Sequence, residues 1–326
     1  MKNLFTTPSV LDQREVTRFQ ASVMDVIPED IRMLEISPVA ALGSNSALSG
    51  ISQKTVLGTI RNTEVVADAV SVLALELARQ RNAEPNAWAG TTLGTFHREL
   101  RTQVYKEPQY KPHYHALSLV RAEHAPNCDD FKTRNLAEQI GIYLDVIDRG
   151  RSIGYGADRV TVNVSNLRIV ELAIKAAGFD RDVVRRQART VGFSVFDAVG
   201  VALPKKIPLA DLNTIVATLP NTLAHLNRPL VYAGRIFGDA IAELAKRRSL
   251  DSVDVVLDLD RHAGMGYYQD LCVKISSRNL KGETYELVDI GTNDWLSRLT
   301  HRRADRLMTG GMGTELFMTF FRDPHA

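Results

Sequence analysis

Cysteine is nearly absent: the 326 residues hold two, Cys128 and Cys272, too far apart for metal-ligand spacing. They read as free thiols in a reducing compartment, which sets aside a disulfide framework or a zinc ribbon. No signal peptide and no apolar run of 18 residues occurs, so a cytoplasmic chain with no membrane partner is expected. Charge of one sign is also missing. Forty Lys and Arg against 38 Asp and Glu leave a net +2, with no dense basic run to mark a nucleic-acid tail. The small-residue run ALGSNSALSG between Pro38 and Ser52 lacks both GxGxxG and GxxxxGK, and is expected to be a surface loop without a helix.

What is present is ordinary for a globular chain: 44% hydrophobic and 24% charged residues, enough to bury a sizeable core. Asp12 is placed to cap a helix reaching about Val26, with Val16, Phe19, Val23 and Val26 on one face. Arg32–Ile36 reads as a strand ended by Ser37-Pro38. Thr55–Arg81 begins as a strand, turns at Arg61-Asn62 and becomes a helix with Val70, Leu73 and Leu77 inward. Asp129 or Asp130 is expected to cap a helix over about Phe131–Arg149, and Arg159–Val164 reads as a strand followed by a helix that stops at Gly178. Residues 180–228 give helical pieces interrupted by Gly192, Pro204, Pro208 and Pro220, a small helical insertion. Beyond it lie a helix over Pro229–Lys246 and a strand over Val253–Leu259. Gly264 and Gly266 then allow a tight turn before a strand expected over Tyr267–Ile275.

The stretch Thr91–Glu123, TTLGTFHRELRTQVYKEPQYKPHYHALSLVRAE, carries the most chemistry. Two strand-like runs, Gly94–Val104 and Tyr114–Ala122, flank a loop that holds Pro108 and Pro112. Arg98, Arg101, Lys106, Lys111, His97, His113 and His115 are expected to converge on one end of this hairpin, opposed by Glu99 and Glu107. Such a cluster would hold a phosphate or carboxylate through charge-assisted hydrogen bonds. An exposed basic hairpin is the plain alternative. A metal site on His97, His113, His115 and His124 is a third, weakened because no acid or cysteine stands at a telling spacing.

These residues, taken in order, resemble the class II aminoacyl-tRNA synthetases, and within them histidyl-tRNA synthetase and the regulatory paralogue of ATP phosphoribosyltransferase. The first helix and the strand ending at Pro38 look like motif 1, which builds a dimer interface. LRTQ and HYHALSLV look like motif 2, with Arg101 at its arginine, Gln103 where an acid is usual, and His113 and Tyr114 on the return strand. The turn near Thr63, Glu64 and Asp68 looks like the one whose acid receives a substrate ammonium group. Gly264, Gly266, Tyr267 and Tyr268 match a substrate-pocket signature whose arginine is not in register, since Ala263 stands there with Arg261 and His262 upstream. TGGMGTELF looks like motif 3, with Gly311, Gly313 and Glu315 in place, but Leu316 stands where an arginine is expected and Thr292 replaces another in the run Gly291–Leu296.

The resemblance implies an α+β fold: a mixed, mostly antiparallel sheet flanked by helices, with a core over 1–179 and 229–326 and the insertion at 180–228. It implies ATP with Mg²⁺ as cofactors and Arg101 on the α-phosphate as the catalytic group. ATP would lie against Arg101, Gln103, His113, Tyr114, Gly311, Gly313 and Glu315. A substrate amino acid or related carboxylate would lie against Glu64, Asp68, Gly264, Gly266, Tyr267 and Tyr268. The activity implied is adenylate-forming ligation to a small molecule or carrier, in a homodimer. tRNA is not the expected acceptor, because the chain ends shortly after the motif 3 run, with no RNA-binding module appended. The alternative is a catalytically silent paralogue that binds an amino acid and regulates a partner, which Leu316 and Thr292 favour.

Overall fold

The alternating stretches pair with one another into a single large sheet. The computed structural model describes residues 3–85, 88, 90–103, 110–182, 184 and 192–323. Among these, strands β1 (Arg32–Met33), β4 (Thr91–Leu100), β5 (His113–His124), β6 (Ala157–Asn166), β7 (Lys206–Pro208), β8 (Val253–Asp258), β9 (Leu271–Asn279), β10 (Thr284–Asn293) and β11 (Asp305–Met312) form a nine-stranded sheet in the order β1-β4-β5-β11-β10-β9-β6-β8-β7. All neighbours are antiparallel except β1 with β4 and β6 with β8. A separate two-stranded ribbon joins β2 (Val39–Ala41) to β3 (Thr63–Val65). This is the mostly antiparallel α+β sheet flanked by helices that the resemblance implied.

The two faces of the sheet bury different helices. On one lie α1 (Gln13–Met24), α4 (Cys128–Ser152) and α8 (Asn227–Ala245), whose Phe19, Tyr143 and Phe237 join Leu117, Leu119 and Met308 in the main core. Burying side chains of this size is worth roughly 1.5–3 kcal/mol each, which is why long amphipathic helices hold this face. On the other face α3 (Ala69–Ala83) and α9 (Trp295–Thr300) close a second core over Leu93, Val120 and Ala122. The apolar stripe of α1, with Val16, Phe19 and Val23 at most 5% exposed, is consumed within the subunit. It therefore supplies no argument for a dimer interface.

Several boundaries differ from the sequence expectation for identifiable reasons. The run Arg32–Ile36 holds only a two-residue strand, although Leu34 N–H still donates to the Gly94 carbonyl at 2.7 Å. The run expected to be plain loop contains β2 and a short helix, α2 (Ser44–Leu48). Its start is capped from a distance: the Glu64 carboxylate accepts the backbone N–H groups of Gly43 at 2.8 Å and Asn45 at 2.9 Å, satisfying donors a helix otherwise leaves orphaned. Asn127, not Asp129 or Asp130, caps α4. The strand after Gly266 begins at Leu271, because Tyr267 and Tyr268 are still folding back onto the Gly264 carbonyl at 2.9 Å. Between α5 (Leu167–Ala176) and α8, the chain forms α6 (Val195–Val199), the edge strand β7 and α7 (Leu212–Ala217), with Phe196, Ile207 and Leu212 in the main core. The loop residues Tyr105, Lys106, Glu107 and Pro108 lie outside the described residues.

Candidate functional site

Strand alternation sorts the polar side chains of the β4–β5 hairpin onto two faces. Glu99 stands opposite Tyr114, and both point to the α3 side. Arg98, one residue away, stands opposite His115 and points to the α4 side. The expected convergence of Arg98, Arg101, His97, His113 and His115 on one anion site therefore does not form: Arg101 goes to one face while Arg98, His113 and His115 go to the other.

On the α3 side the hairpin forms the floor of a cavity of about 440 Å³ bounded by Asp68, Glu99, Arg101, Tyr114, Tyr267 and Asp289. The sequence VVADAV places Asp68 as the N-cap of α3, its Oδ1 accepting the Val70 N–H at 3.1 Å and its Oδ2 the Tyr267 hydroxyl at 3.1 Å. Glu99 accepts the Ala69 N–H at 2.9 Å through one oxygen and the Tyr114 hydroxyl at 2.9 Å through the other. Arg101 lies just past the end of β4. Its Nε donates to the Ala67 carbonyl at 2.9 Å, its Nη2 stands 3.7 Å from Glu99, and its guanidinium lies over the Tyr114 ring at 5.9 Å. The Arg101 side chain thus borders the cavity and is 28% exposed.

Burial sets the protonation of this trio. Desolvation pushes the Asp68 carboxyl up against the pull of Arg101, and desolvation together with Asp68 raises Glu99 to about 7. Among the described residues one cation, Arg101, faces these two buried acids, a balance to which an ammonium group would add positive charge.

Glycines shape the rest. Gly264 and Gly266 take positive φ values of 97° and 87°, the left-handed turn their lack of a side chain permits. A Cβ on Gly264 or on Gly291 would stand 2.7 Å or 2.4 Å from the Tyr268 ring, so that ring is held flat between two bare backbones. Tyr268 in turn packs edge-on against Tyr267 with centroids 4.8 Å apart. On β11, Gly311 has nothing within 4 Å of the position a Cβ would take, leaving bare backbone as floor. A second cavity of about 380 Å³ adjoins the first. Arg101, Tyr114 and Gly313 line both, and Tyr110, Lys111, Glu286, Leu287, Leu316 and Phe320 complete the outer one.

Of the expected site residues, Arg101, Tyr114, Asp68, Gly264, Gly266, Tyr267, Tyr268, Gly311 and Gly313 meet at the two cavities. Four do not serve as expected. Glu64 is buried against Gly43, Asn45 and Gln53 as the cap of α2 and lines neither cavity. His113 binds Arg98 at 2.8 Å through Nδ1 and the Thr7 carbonyl at 2.8 Å through Nε2, on the opposite face. Gln103 is outside both cavities, its N–H donating to the Arg101 carbonyl at 2.8 Å. Glu315 touches the rim of the outer cavity, but its carboxylate is occupied by Ser9, the His115 N–H at 3.1 Å and Arg98 at 3.0 Å. Arg302, Arg303 and Arg306, the arginines just upstream of the motif 3 run in sequence, line neither cavity either. Among the described residues, no group of three His, Cys, Asp or Glu side chains could hold a metal ion, so the histidine site is not assembled.

Three participants escaped the sequence reading. Glu99 reads in the sequence only as a counter-charge at one end of the hairpin, although its position two residues before Arg101 already puts it on the same face. Asp289 lies on β10 directly across from Gly311 and borders the inner cavity. Arg261, buried beneath Tyr268 at 5.9 Å, donates to Asp289 at 2.7 Å and leaves its Nη1 without a partner. Nothing in the local pattern around Asp289 distinguishes it from any other strand acid.

No protein-family model matches the chain, and no curated protein matches it either. Solved structures do. A protein from Bacillus halodurans C described as an ATP phosphoribosyltransferase regulatory subunit/histidyl-tRNA synthetase superposes with a TM-score of 0.67 over 98% of this chain and 84% of its own, at 14% identity. A histidine–tRNA ligase subunit from Alicyclobacillus acidocaldarius gives a TM-score of 0.66, covering 98% and 96% of the two chains at 13% identity. Histidyl-tRNA synthetase from Nostoc sp. PCC 7120 gives 0.60, over 97% of this chain and 74% of its own, at 13% identity. The chain therefore has the histidyl-tRNA synthetase-like class II fold. No helix among the described residues is long and apolar enough to cross a membrane.

Proposed function

We propose that the protein is an ATP-dependent ligase that activates an amino acid or related carboxylate as an acyl-adenylate and passes it to a small molecule or carrier. The observation that carries this reading is the pair of adjoining cavities that share Arg101, Tyr114 and Gly313. A ligand joined through a phosphate would span them, with its acyl part in the inner, acid-bearing cavity and its nucleoside part in the outer, more apolar one. Asp68 and Glu99 would receive the ammonium group, Tyr114 would stack on the base, and Arg101 would exchange its contact with Glu99 for the α-phosphate at the junction. Attack of the carboxylate on that phosphorus releases pyrophosphate, and the protein supplies alignment and charge rather than a nucleophile of its own.

The residues present fit an ATP–Mg²⁺ substrate in outline. Arg101 and Lys111 border the outer cavity as phosphate-binding cations, and Glu286 is an acid there beside which a metal already carried by phosphates can sit. Mg²⁺ would supply charge neutralisation of the leaving pyrophosphate. Homodimerisation belongs to the proposal through the shared fold alone.

One observation favours a second reading, a silent paralogue that binds an amino acid and regulates a partner: Leu316 is apolar at the outer cavity, and Glu315 is tied into the Arg98 cluster. Pyrophosphate exchange screened across amino acids separates the two. The ligase reading expects exchange with one class of amino acid and loss of it in Arg101→Ala. Amino-acid binding by calorimetry with no nucleotide binding in either the presence or absence of Mg²⁺ would overturn it in favour of the regulator.

A further inference from the structure

Besides Glu99, two acids from separate elements line the inner cavity: Asp68, held by Tyr267 at the start of α3, and Asp289 on β10, in the same cross-strand row as Gly311 and Ser118. Two strand spacings put the Asp289 backbone about 10 Å from Ser118 across that floor. Between them the floor carries no side chain, since Gly311 leaves open space where its Cβ would be. Asp289 is not consumed by Arg261, which takes only Oδ1, at 2.7 Å; the Asp289 side chain is 46% exposed, and the residue lines the cavity.

Resting on the amino-acid reading of this cavity, we infer that the ligand is a basic amino acid, lysine- or ornithine-like, with its α-ammonium group at Asp68 and its side-chain cation at Asp289. The chemistry that recognises it is a carboxylate from each of two separate elements lining an open, glycine-floored cavity that an extended aliphatic stem can cross. The walls match such a stem: Val70, Ala116, Met265 and Met312 are apolar. Among the described residues Arg101 is the cation bordering the cavity, and it stands with Glu99 near Asp68; Lys274, the cross-strand neighbour of Asp289, is held by Glu286 at 2.8 Å, and Arg261 is buried. A neutral side chain of the same length would leave the free Asp289 oxygen desolvated and unpaired, which is the basis of discrimination.

The test is equilibrium binding of L-lysine, L-ornithine and the neutral isostere L-norleucine to the intact chain, by calorimetry without nucleotide. Lysine or ornithine is expected to bind at least roughly tenfold tighter than norleucine, and Asp289→Asn to bring that ratio down to about threefold or less. Because Asp289→Asn leaves Arg261 buried without its partner, Asp289→Glu is the companion variant and is expected to keep the preference for the basic ligand. Equal or tighter binding of norleucine by the unaltered chain overturns the inference, as does a preference that survives in folded Asp289→Asn. The two readings fail separately: lysine preference without pyrophosphate exchange sinks the ligase reading alone, whereas exchange driven by a neutral amino acid sinks this inference alone.

Discussion

The two faces of one hairpin put the same residue types to opposite uses. On the α4 side, Arg98 binds both His113 and Glu315, Glu315 also takes the backbone N–H of His115, and the cluster ties down the N-terminal segment through Thr7 and Ser9. On the α3 side, Glu99, Asp68 and Arg101 are bound mainly to backbone groups and tyrosine hydroxyls, and they border open volume. Burial alone would raise Glu315, yet Ser9, Arg98 and the His115 N–H hold it below the ordinary carboxylate range. Glu99 is desolvated more completely and also stands beside another acid, and it is pushed up to about 7. A closed charge network stabilises a fold, whereas an unbalanced one waits for a ligand.

The sharpest way to break this comparison is to delete one arginine from each face. Arg101→Ala is expected to cut pyrophosphate exchange by about 10²–10³-fold, the scale of losing one preorganised charge at a reacting phosphate. Its melting temperature should move little, since Glu99, 3.7 Å away and already pushed up to about 7, can take a proton when the cation is lost. Arg98→Ala should do the reverse: Glu315 loses its cation, at a cost of roughly 1–2 kcal/mol in unfolding free energy given that Arg98 is one third exposed. Denaturant unfolding and exchange, measured on both variants, check the pair. A matched loss of exchange in both would show that the faces are not separate.

Adjacent glycines on β11 offer the same contrast without charge. Gly310 faces α4, where a Cβ would meet Gln139 at 2.5 Å and Tyr143 at 2.8 Å, so Gly310→Ala should cost about 1–3 kcal/mol by overpacking. Gly311 faces the cavity with nothing in reach. Gly311→Ala should be read in ligand affinity, with a change in stability below about 1 kcal/mol. The strand register alone, not the glycine-rich composition, decides which is which.

Much of this was legible beforehand. The hairpin, the Asp68 helix entry, the Gly264–Tyr268 turn and the motif 3 glycines appear in the sequence because turns and caps demand particular residues at particular offsets. The α-carbon path therefore followed from local chemistry. What could not be read was direction. Arg98, His113 and His115 look like cavity residues until the pairing of Leu100 with His113 fixes the alternation, and a shift of one residue would exchange every side chain between faces. Glu64 looked like the substrate acid because it lies close to the turn in sequence, whereas its backbone partners, Gly43 and Asn45, lie about twenty residues back. Asp289 and Arg261 depend on strands brought together from distant parts of the chain, and no local pattern announces such a contact.

The smallest effect expected is a matter of pH, and here the faces should tilt in opposite directions. Glu99, at about 7 in the folded chain against an ordinary 4.5, keeps a proton that the unfolded chain has released, so its contribution to stability falls as pH rises from 4.5 to 7. His115, driven down to about 4 by burial and by Arg98, lacks a proton that the unfolded chain still holds below 6.5, so its contribution rises between pH 4 and 6.5. Glu99→Gln should reduce the falling limb in a plot of unfolding free energy against pH to the share that Asp68, also raised by burial, contributes, and leave the rising one. An ammonium ligand favours ionised Glu99, so lysine affinity in the unaltered chain should strengthen as pH rises through 7, and Glu99→Gln should flatten that dependence. An undiminished rise in the variant would show that Glu99 is not the titrating group and leave Asp68, likewise raised by burial, as the acid that meets the ammonium.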